Sequence, residues 1–494
     1  MVTVAGPEHS IEQGRSEGGP KRPGGSALTS RPSLGAAMTG ISSRIPTWLL
    51  VAVPTAVAAF VNFLWIGRQS LWMDEGFTAQ MVTGPWSEFW RQIFTFGDGN
   101  AVGYYLLLRL WPFHEDEAGL RSLSALCIVA SVPLVFWIGR QLGGRAAGWW
   151  AACFFALWLT IVEYGQEARS YSLLILITLA ATAALLKATR TDGPRWWIAY
   201  GVLLGLGMYV HMFAALMVLP HVVWIAVRRP PIRRVALAAG IAALVAAPML
   251  VYLAHYGNNG IISWISRPTL GSLWDEVIVP LSGYSYYKLA ALVLAVLGLG
   301  AVVVLRQRAE LPAFALLVTW ACAPLLVALA YSLLAHPVLL ARYVIYVIPA
   351  WALLLSVAIA KIPVRVASVV AGVVVLAICA RSMERYYAGG AFPKAEIRET
   401  AALVASQTRP GDAVVELSGL QPALDYYWRN VPRPTVGTGG CRLWVVASDD
   451  PTPPESAAAW HLVWRQNLYQ VAVALYAPVS ENATGLDGAQ CPAK

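Results

Sequence analysis

Charged residues are scarce in this chain of 494 residues: Asp, Glu, Lys and Arg together make up 13%, whereas 57% of the residues are hydrophobic. A single soluble domain with one buried core does not carry so much apolar surface. Tryptophan is frequent, with 21 copies. The composition therefore excludes an ordinary soluble globular domain and predicts an all-α polytopic membrane protein.

Other features that are absent narrow the function. The basic residues, which give a formal net charge of +9, do not line one amphipathic face but fall in short clusters between apolar runs. Membrane topology explains this pattern better than nucleic-acid binding does. The sequence contains no Cys-x-x-Cys motif and no His-rich metal spacing. The first apolar run, from Ile45, is followed by no convincing small-residue cleavage site, which predicts a retained anchor.

The hydropathy pattern divides the chain into three parts. Residues 1–44 are rich in Gly, Pro, Ser and Arg and predict a disordered cytoplasmic tail. Residues 45–385 form the predicted transmembrane module, and residues 386–494 a soluble domain. Apolar runs long enough to cross about 30 Å of hydrocarbon predict about eleven spans. They lie at 46–66, 118–139, 146–163, 168–188, 196–210, 212–227, 235–254, 287–305, 312–334, 342–360 and 364–383.

Positive charge in alternate loops predicts the orientation in a plasma membrane. Clusters such as Arg140/Arg145 and Arg228 to Arg234 mark the cytoplasmic side by the positive-inside rule. The N-terminus is then cytoplasmic, and an odd number of spans places the C-terminal domain outside. The clusters of chemically capable residues all fall on that outer side, which predicts an extracytoplasmic active site.

Two outer regions are predicted to be folded. The loop 67–117 is rich in Trp, Phe and Leu, which predicts one or two interfacial amphipathic helices. After residue 385 the pattern is that of a small α/β domain. We expect helices at 393–407, 421–429 and 455–465, and strands at 413–417, 442–447 and 469–476. Cys441 and Cys491 both lie in this domain and are candidates for a disulfide.

An adjacent pair of acids, Asp74 and Glu75, follows the first apolar run. A carboxylate at a partly desolvated membrane edge is suited to take a proton from an incoming hydroxyl. Because neighbouring side chains point apart, we assign the base role to Asp74 and expect Glu75 to bind acceptor hydroxyls, cap a helix or hold a cation. The alternative is that Asp74 only caps a helix that begins at Gly76.

Other outward residues carry two interpretations each. Arg169 and Arg342, with Tyr343 beside it, either reach lipid headgroups or bind a phosphate, and two guanidinium groups from separate spans favour an anion site. His211 is either a packing residue or a ligand, and Asp98 is either a turn residue or a second site acid.

Taken in order, these motifs resemble the GT-C glycosyltransferases. They comprise the segment 71–77 with its Asp-Glu pair, Asp98 to Tyr105, Gln166 to Tyr171, Tyr209 to Phe213, and Arg342-Tyr343 with Pro349. The nearest branch is that of the protein O-mannosyltransferases and aminoarabinose transferases (family 39-like), which has bacterial cell-envelope members. The likeness covers roughly residues 45–360.

This resemblance implies an activity. Such enzymes transfer a sugar from a polyprenyl phosphate to an acceptor hydroxyl on the outer face, and they need no organic cofactor. Asp74 matches the catalytic acid of the outer loop, and Arg169 and Arg342 match positions near the lipid phosphate. We expect inversion at the sugar and favour mannose as the donor sugar. The acceptor is a glycan, a glycolipid or a protein.

The sequence around Asp98 departs from the family pattern. The segment after Asp98 lacks the prolines that many relatives carry before their Tyr-Tyr pair, which leaves the role of Asp98 open.

A transporter or lipid flippase would place ionisable residues at mid-membrane, where these spans carry almost none. A non-catalytic envelope assembly factor would use the outer domain as a binding module. A divalent cation could bind to Asp74, Glu75, Asp98 and His211, but the spacing of these residues matches no metal-binding motif.

Overall fold

The computed structural model describes residues 45–96, 99–191, 193–256, 264–388, 394–429, 431, 435–437, 441–453 and 460–479. The predicted tail, residues 1–44, lies outside the described residues. From Trp48 onward the described chain belongs to one compact unit.

The membrane module consists of helices, which we label in chain order. They are α1 Thr47–Phe63, α2 Met73–Thr83, α3 Trp86–Arg91, α4 Val102–Arg109, α5 Glu117–Ala156, α6 Leu159–Gly165, α7 Tyr171–Ala188, α8 Pro194–Val210, α9 Val218–Arg228, α10 Ile232–Tyr256, α11 Leu270–Ser272, α12 Val279–Leu281, α13 Tyr286–Leu305, α14 Leu311–Leu334, α15 Ile348–Ala360 and α16 Arg365–Tyr387. Short 3-10 segments at Gly99–Ala101, Met212–Met217, Arg308–Glu310 and Ala341–Val347, and π segments at Gln92–Phe96 and Leu273–Ile278, join or extend them.

Seven helical segments in the described part of the chain are long and apolar enough to cross a membrane. They are Glu117–Ala156, Tyr171–Ala188, Ile232–Tyr256, Tyr286–Val303, Arg308–Leu334, Ala341–Ala360 and Arg365–Tyr387. Thr47–Phe63 and Met212–Arg228 are shorter apolar helices. Each of the eleven predicted runs overlaps a helix, which confirms the helical membrane class. The number of spans and their orientation stay predictions.

The turn predicted between the second and third runs lies inside α5. Gly144 has a φ of 87°, outside the helical region, so the chain bends there. Gly139 and Gly148 on either side of the bend approach closely, because a Cβ at Gly139 would lie 2.9 Å from the Cα of Gly148. Glycine is therefore required both for the bend and for the contact.

The loop 67–117 is helical in its described part, as its aromatic content predicted. Trp86, Trp90 and Phe94 lie on one side of the α3 region and stack on one another, with ring centroids 6.4 and 5.8 Å apart. All three rings are exposed. Arg109 of α4 lies over Trp86, 4.1 Å from the ring centroid, and donates to the carbonyls of the last turn of α2, so that these helices form one folded unit.

The C-terminal domain has an α/β fold, as predicted. It contains α17 Ile397–Gln407 and α18 Gln421–Trp428 and the strands β1 Asp412–Glu416, β2 Thr435–Val436, β3 Arg442–Ala447, β4 Trp460–Leu468 and β5 Val471–Pro478. The sheet order is β2-β1-β3-β5-β4, parallel between β2, β1 and β3 and antiparallel between β3, β5 and β4.

The helix predicted at 455–465 is wrong where the structure describes it. Residues from Trp460 form β4, which pairs with β5 through a tight turn at Tyr469 and Gln470, where Gln470 has a φ of 54°. Pairing with the buried strand β5 determines the conformation of the chain from Trp460 onward.

Candidate active site

Asp74 and two arginines from distant parts of the chain meet at one place. Asp74 lies in the first turn of α2, and its side chain is 23% exposed. Its Oδ2 is 3.5 Å from an Nη of Arg169 and 4.0 Å from an Nη of Arg342. The helix begins at Met73 with Trp72 as its N-cap, so the alternative in which Asp74 caps a helix is wrong.

The two guanidinium groups have donor capacity to spare. Arg169 lies between α6 and α7 and also donates to the backbone carbonyl of Asp74 over 3.2 Å. Arg342 lies in the 3-10 segment that opens α15. The buried Nε atoms of Arg169 and Arg342 have no hydrogen-bond partner among the described residues. Two arginines against one carboxylate leave an excess positive charge, which favours an anion.

Three aromatic rings lie close to the guanidinium group of Arg342. Its guanidinium carbon lies 5.4 Å from the ring centroid of Trp264 and 5.8 Å from those of Trp72 and Tyr343. Tyr171 lies behind them, with its ring centroid 6.5 Å from that of Tyr343. These rings exclude water from part of the site and strengthen the electrostatic interactions of the guanidinium group.

His211 joins the same cluster from the end of α8. Its ring centroid lies 4.8 Å from that of Tyr343, and the side chain is buried. Burial, with Arg169 and Arg342 adding to it, lowers the pKa of His211 to about 3. Its Nδ1 accepts from the backbone N–H of Phe213, so the neutral ring carries its proton on Nε2 and is a hydrogen-bond donor there. His211 therefore lies near the anion site as an uncharged group.

Glu75 points away from the site formed by Asp74, Arg169 and Arg342, which we call the cleft. It has no exposed surface, and each of its oxygens has two partners. Arg121 donates to both oxygens over 2.7 Å, Lys394 to one over 2.9 Å, and the N–H of Ala168 to the other over 2.9 Å. Burial raises the pKa of Glu75, but Arg121 and Lys394 outweigh it and lower this pKa to about 2. The acceptor-binding role predicted for Glu75 does not fit this position, because no ligand can reach the carboxylate.

The Glu75 contacts also hold the segments that carry the cleft residues. Ala168, whose N–H binds Glu75, precedes Arg169. Arg121 donates to the carbonyls of Ile66, Gln69 and Ser70, in the loop that leads into α2. Asp74 and Arg169 are thus positioned by the same buried ionic network.

The C-terminal domain packs directly on α2. A Cβ added at Gly76 would lie 2.6 Å from the Cβ of Ala423 in α18, so that only glycine permits this approach. Tyr427 of α18 accepts from the N–H of Leu71 over 2.7 Å and contacts Glu117 of α5. The helix that carries Asp74 is therefore supported from both the membrane module and the C-terminal domain.

Two predicted site positions are only partly described. Asp98 lies outside the described residues, although its neighbour Asn100 accepts from the N–H of Met212, beside His211. Cys441 is disulfide-bonded, whereas Cys491 lies outside the described residues, so their pairing stays a prediction. Within the part of the chain that the structure describes, His, Cys, Asp and Glu form no cluster of three that could hold a metal ion.

Sequence reasoning missed the residues that hold the site. Arg121 lies inside a predicted span, where an ionisable residue is costly and indicates a buried partner, so this signal was present. Lys394, whose ammonium group lies 3.5 Å from Glu167, is not marked by any local pattern, and Glu167 lay within the motif 166–171 without a role of its own. Trp72 lay within the motif 71–77 without a role of its own, and Trp264 was indistinguishable from the other tryptophans of a membrane interface.

Comparison with known proteins places these motifs in context. Residues 102–255 match the family described as dolichyl-phosphate-mannose-protein mannosyltransferase. No protein of curated function matches the sequence significantly. Solved structures match the fold over most of the chain. The apo structure of ArnT from Cupriavidus metallidurans has a TM-score of 0.58 at 15% identity and covers 89% of this chain and 98% of its own.

Other solved structures of the same general fold match less closely. ArnT bound to undecaprenyl phosphate has a TM-score of 0.55 at 14% identity and covers 87% of this chain and 98% of its own. The mycobacterial arabinofuranosyltransferase AftD has a TM-score of 0.51 at 17% identity and covers 88% of this chain and 42% of its own. These likenesses confirm the predicted resemblance at the level of the fold.

Proposed function

We propose that this chain, a membrane protein with the GT-C glycosyltransferase fold, transfers a sugar from a polyprenyl-phosphate donor to an acceptor hydroxyl. The observation that carries the proposal is the convergence of Asp74, Arg169 and Arg342 in one partly exposed cleft. A base for the acceptor and cations for a phosphate are the two groups that such a transfer needs. The ArnT structure that contains undecaprenyl phosphate supports the class of donor.

The cleft geometry supports a displacement at the sugar carbon that bears the phosphate. Asp74 accepts the proton of the acceptor hydroxyl, whose oxygen forms the new bond as the bond to the phosphate oxygen breaks. Arg169 and Arg342 bind the phosphate as its negative charge grows. A phosphate that draws these guanidinium groups away from Asp74 leaves the carboxylate available as the base.

Finer details belong to the same proposal. Attack from the face opposite the phosphate inverts the sugar carbon. Mannose is the favoured sugar, which the family match over residues 102–255 supports. The neutral His211, with its proton on Nε2, is placed to donate to a sugar hydroxyl or to the phosphate. We assign the cleft and the C-terminal domain to the outer side of the plasma membrane, on the charge pattern of the loops.

The experiment is a transfer assay with defined donors. Membranes that contain the protein are incubated with a series of radiolabelled polyprenyl-phosphate sugars, including mannose, arabinose, galactose and glucosamine forms, and with the corresponding nucleotide sugars. We expect protein-dependent release of label from one lipid-linked donor into an acceptor and none from nucleotide sugars. Transfer from a nucleotide sugar alone would contradict the proposal. Membranes without the protein are the control.

A further inference from the structure

A second, polar cavity lies beside the Glu75 network, between the loop that precedes α2 and the C-terminal domain. Its volume is about 260 Å³, close to the lower end of the range of small-molecule sites, about 300–1,000 Å³. The residues that line it include Trp65, Arg68, Gln69, Tyr387, Glu396 and Glu399. A space of this size suits one small ring with its substituents rather than a lipid chain.

Trp65 holds a strained backbone conformation at this cavity. Its φ is 55°, in the left-handed region that bulky residues avoid, and the residue is nevertheless 54% exposed. Its ring contacts Tyr387 edge to face, with centroids 5.8 Å apart, and Arg68 lies over it at 5.1 Å. Packing does not explain an exposed, bulky side chain on a strained backbone. Backbone strain of this kind is concentrated at functional sites.

The charges in the cavity wall balance. Arg68 and Lys394 line the cavity together with Glu396 and Glu399, which is two formal charges of each sign. Several of these groups already have partners: Glu399 accepts from Ser70 over 2.8 Å, Glu396 from the N–H of Tyr469 over 3.1 Å, and Lys394 donates to Glu75. Because Lys394 is already paired with Glu75 and Glu167, a phosphate would meet Arg68 together with two carboxylates, and the His, Cys, Asp and Glu side chains of the described residues form no cluster of three that could hold a metal ion.

Aromatic rings beside planar polar side chains fit a neutral sugar. The C–H faces of a sugar ring pack on aromatic rings such as those of Trp65 and Tyr387. Its hydroxyl groups exchange hydrogen bonds with amide, guanidinium and carboxylate groups, which Gln69, Arg68 and Glu399 supply. This combination distinguishes the cavity from the cleft at Asp74, where the positive charge is in excess.

Residues that line the cavity are close in the sequence to residues of the cleft. Ser70, in the cavity wall, lies four residues before Asp74, and Gln166, also in the wall, lies three residues before Arg169. Lys394 lines the cavity and binds Glu75, the residue after Asp74. We infer that this cavity is a saccharide-binding site, which holds a neutral sugar of a glycan acceptor at a distance from the hydroxyl that reacts. The assignment of that sugar to the acceptor rests on the proposed function, but the binding itself does not.

The test measures binding without transfer. The purified full-length protein in detergent is titrated with neutral oligosaccharides of mannose, arabinose, galactose or glucose, and ligand-observed saturation-transfer NMR gives the affinity. We expect one of them to bind, and Trp65→Gly and Gln69→Ala each to weaken it by about tenfold or more. Glycine tolerates the left-handed backbone at position 65, so the first variant removes the ring without adding strain.

Controls separate this site from the cleft and from general tryptophan contacts. Trp274 is exposed to a similar extent, 42%, and does not line the cavity, so Trp274→Ala should bind as the wild type does. Asp74→Asn should also bind normally. Wild-type affinity in both Trp65→Gly and Gln69→Ala, or no neutral oligosaccharide bound at millimolar concentration, would overturn the inference even if transfer occurs. Normal oligosaccharide binding together with absent transfer would instead overturn the proposed function and leave this site standing.

Discussion

Asp74 and Glu75 are neighbours in the sequence, yet they occupy opposite kinds of environment. Asp74 is partly exposed and lies 3.5 and 4.0 Å from its nearest arginine nitrogens. Glu75 is fully buried and lies within 2.9 Å of every one of its four donors. A substrate can reach the loosely paired Asp74, whereas the tightly paired Glu75 contacts only other residues of the protein. A position next to the proposed base in the sequence therefore does not predict a role in the reaction.

The largest effect on folding is expected at Glu75. Glu75→Gln leaves Arg121 as a buried cation without its carboxylate and Lys394 with Glu167 alone, which costs about 3–5 kcal/mol of unfolding free energy. Thermal or denaturant unfolding in detergent measures the loss. The matched control is Glu88→Gln in the exposed pair with Arg91, which should leave the free energy of unfolding close to the wild-type value. Equal stability of the two variants would remove the distinction between the two acids.

The next effect is expected on the rate of transfer. Arg169→Gln and Arg342→Gln each remove one charged donor from the proposed phosphate site, and we expect transfer to slow by about 10²–10³-fold in each. The assay is the initial rate with the lipid-linked donor at saturation. Arg381→Gln, in an exposed pair with Glu384, is the control and should keep the wild-type rate. An unchanged rate in either site variant would exclude that arginine from the phosphate site.

A smaller effect is expected where the C-terminal domain supports α2. Gly76→Ala places a methyl group against Ala423, and we expect a loss of about 1–3 kcal/mol from overpacking. At Gly240, in α10, a Cβ would meet open space, so Gly240→Ala should be neutral or stabilising by up to about 1 kcal/mol. Unfolding temperatures of the two variants test this. Equal changes would mean that α18 does not pack tightly on α2.

A further effect is a pH dependence of stability that arises at Glu163, beside the Glu75 network. Burial, and then the neighbouring Glu167, raise the pKa of Glu163 to about 8. Between about pH 4.5 and 8 the unfolded chain has released this proton and the folded chain keeps it, so that stability falls as the pH rises, by at most about 1.4 kcal/mol per pH unit. Glu163→Gln should remove this contribution, which unfolding temperatures at pH 5 and pH 8 measure. The exposed Glu276→Gln should leave the difference unchanged, and the same fall in both variants would contradict the assignment.

The helices and the common side of the site residues could be predicted from hydropathy and loop charge. The hydropathy runs predicted the helices, because crossing a membrane constrains length and composition more strongly than any soluble fold does. Loop charges then predicted one common side for Asp74, Arg169, His211 and Arg342, and the structure brings these four together. Membrane topology thus carried information about a site whose residues are far apart in the sequence.

The division of work between Asp74 and Glu75 could not be predicted. Adjacent residues of a helix point about 100° apart, but which one faces the interior depends on Arg121 and Lys394, which arrive from other elements. Lys394 follows the last membrane helix and has no local motif. The wrong helix at 455–465 has the same origin, because pairing of Trp460–Leu468 with β5 is a long-range contact that a local sequence pattern does not report.

The most direct test of the account is the pair of measurements on Asp74→Asn: its rate of sugar transfer and its unfolding temperature. We predict that transfer falls by about 10²–10⁴-fold, as expected for the loss of a general base, and that the unfolding temperature stays at the wild-type value. Transfer at a near-normal rate, or a loss of transfer that is matched by unfolding of the protein, would contradict the assignment of Asp74 as the reactive acid.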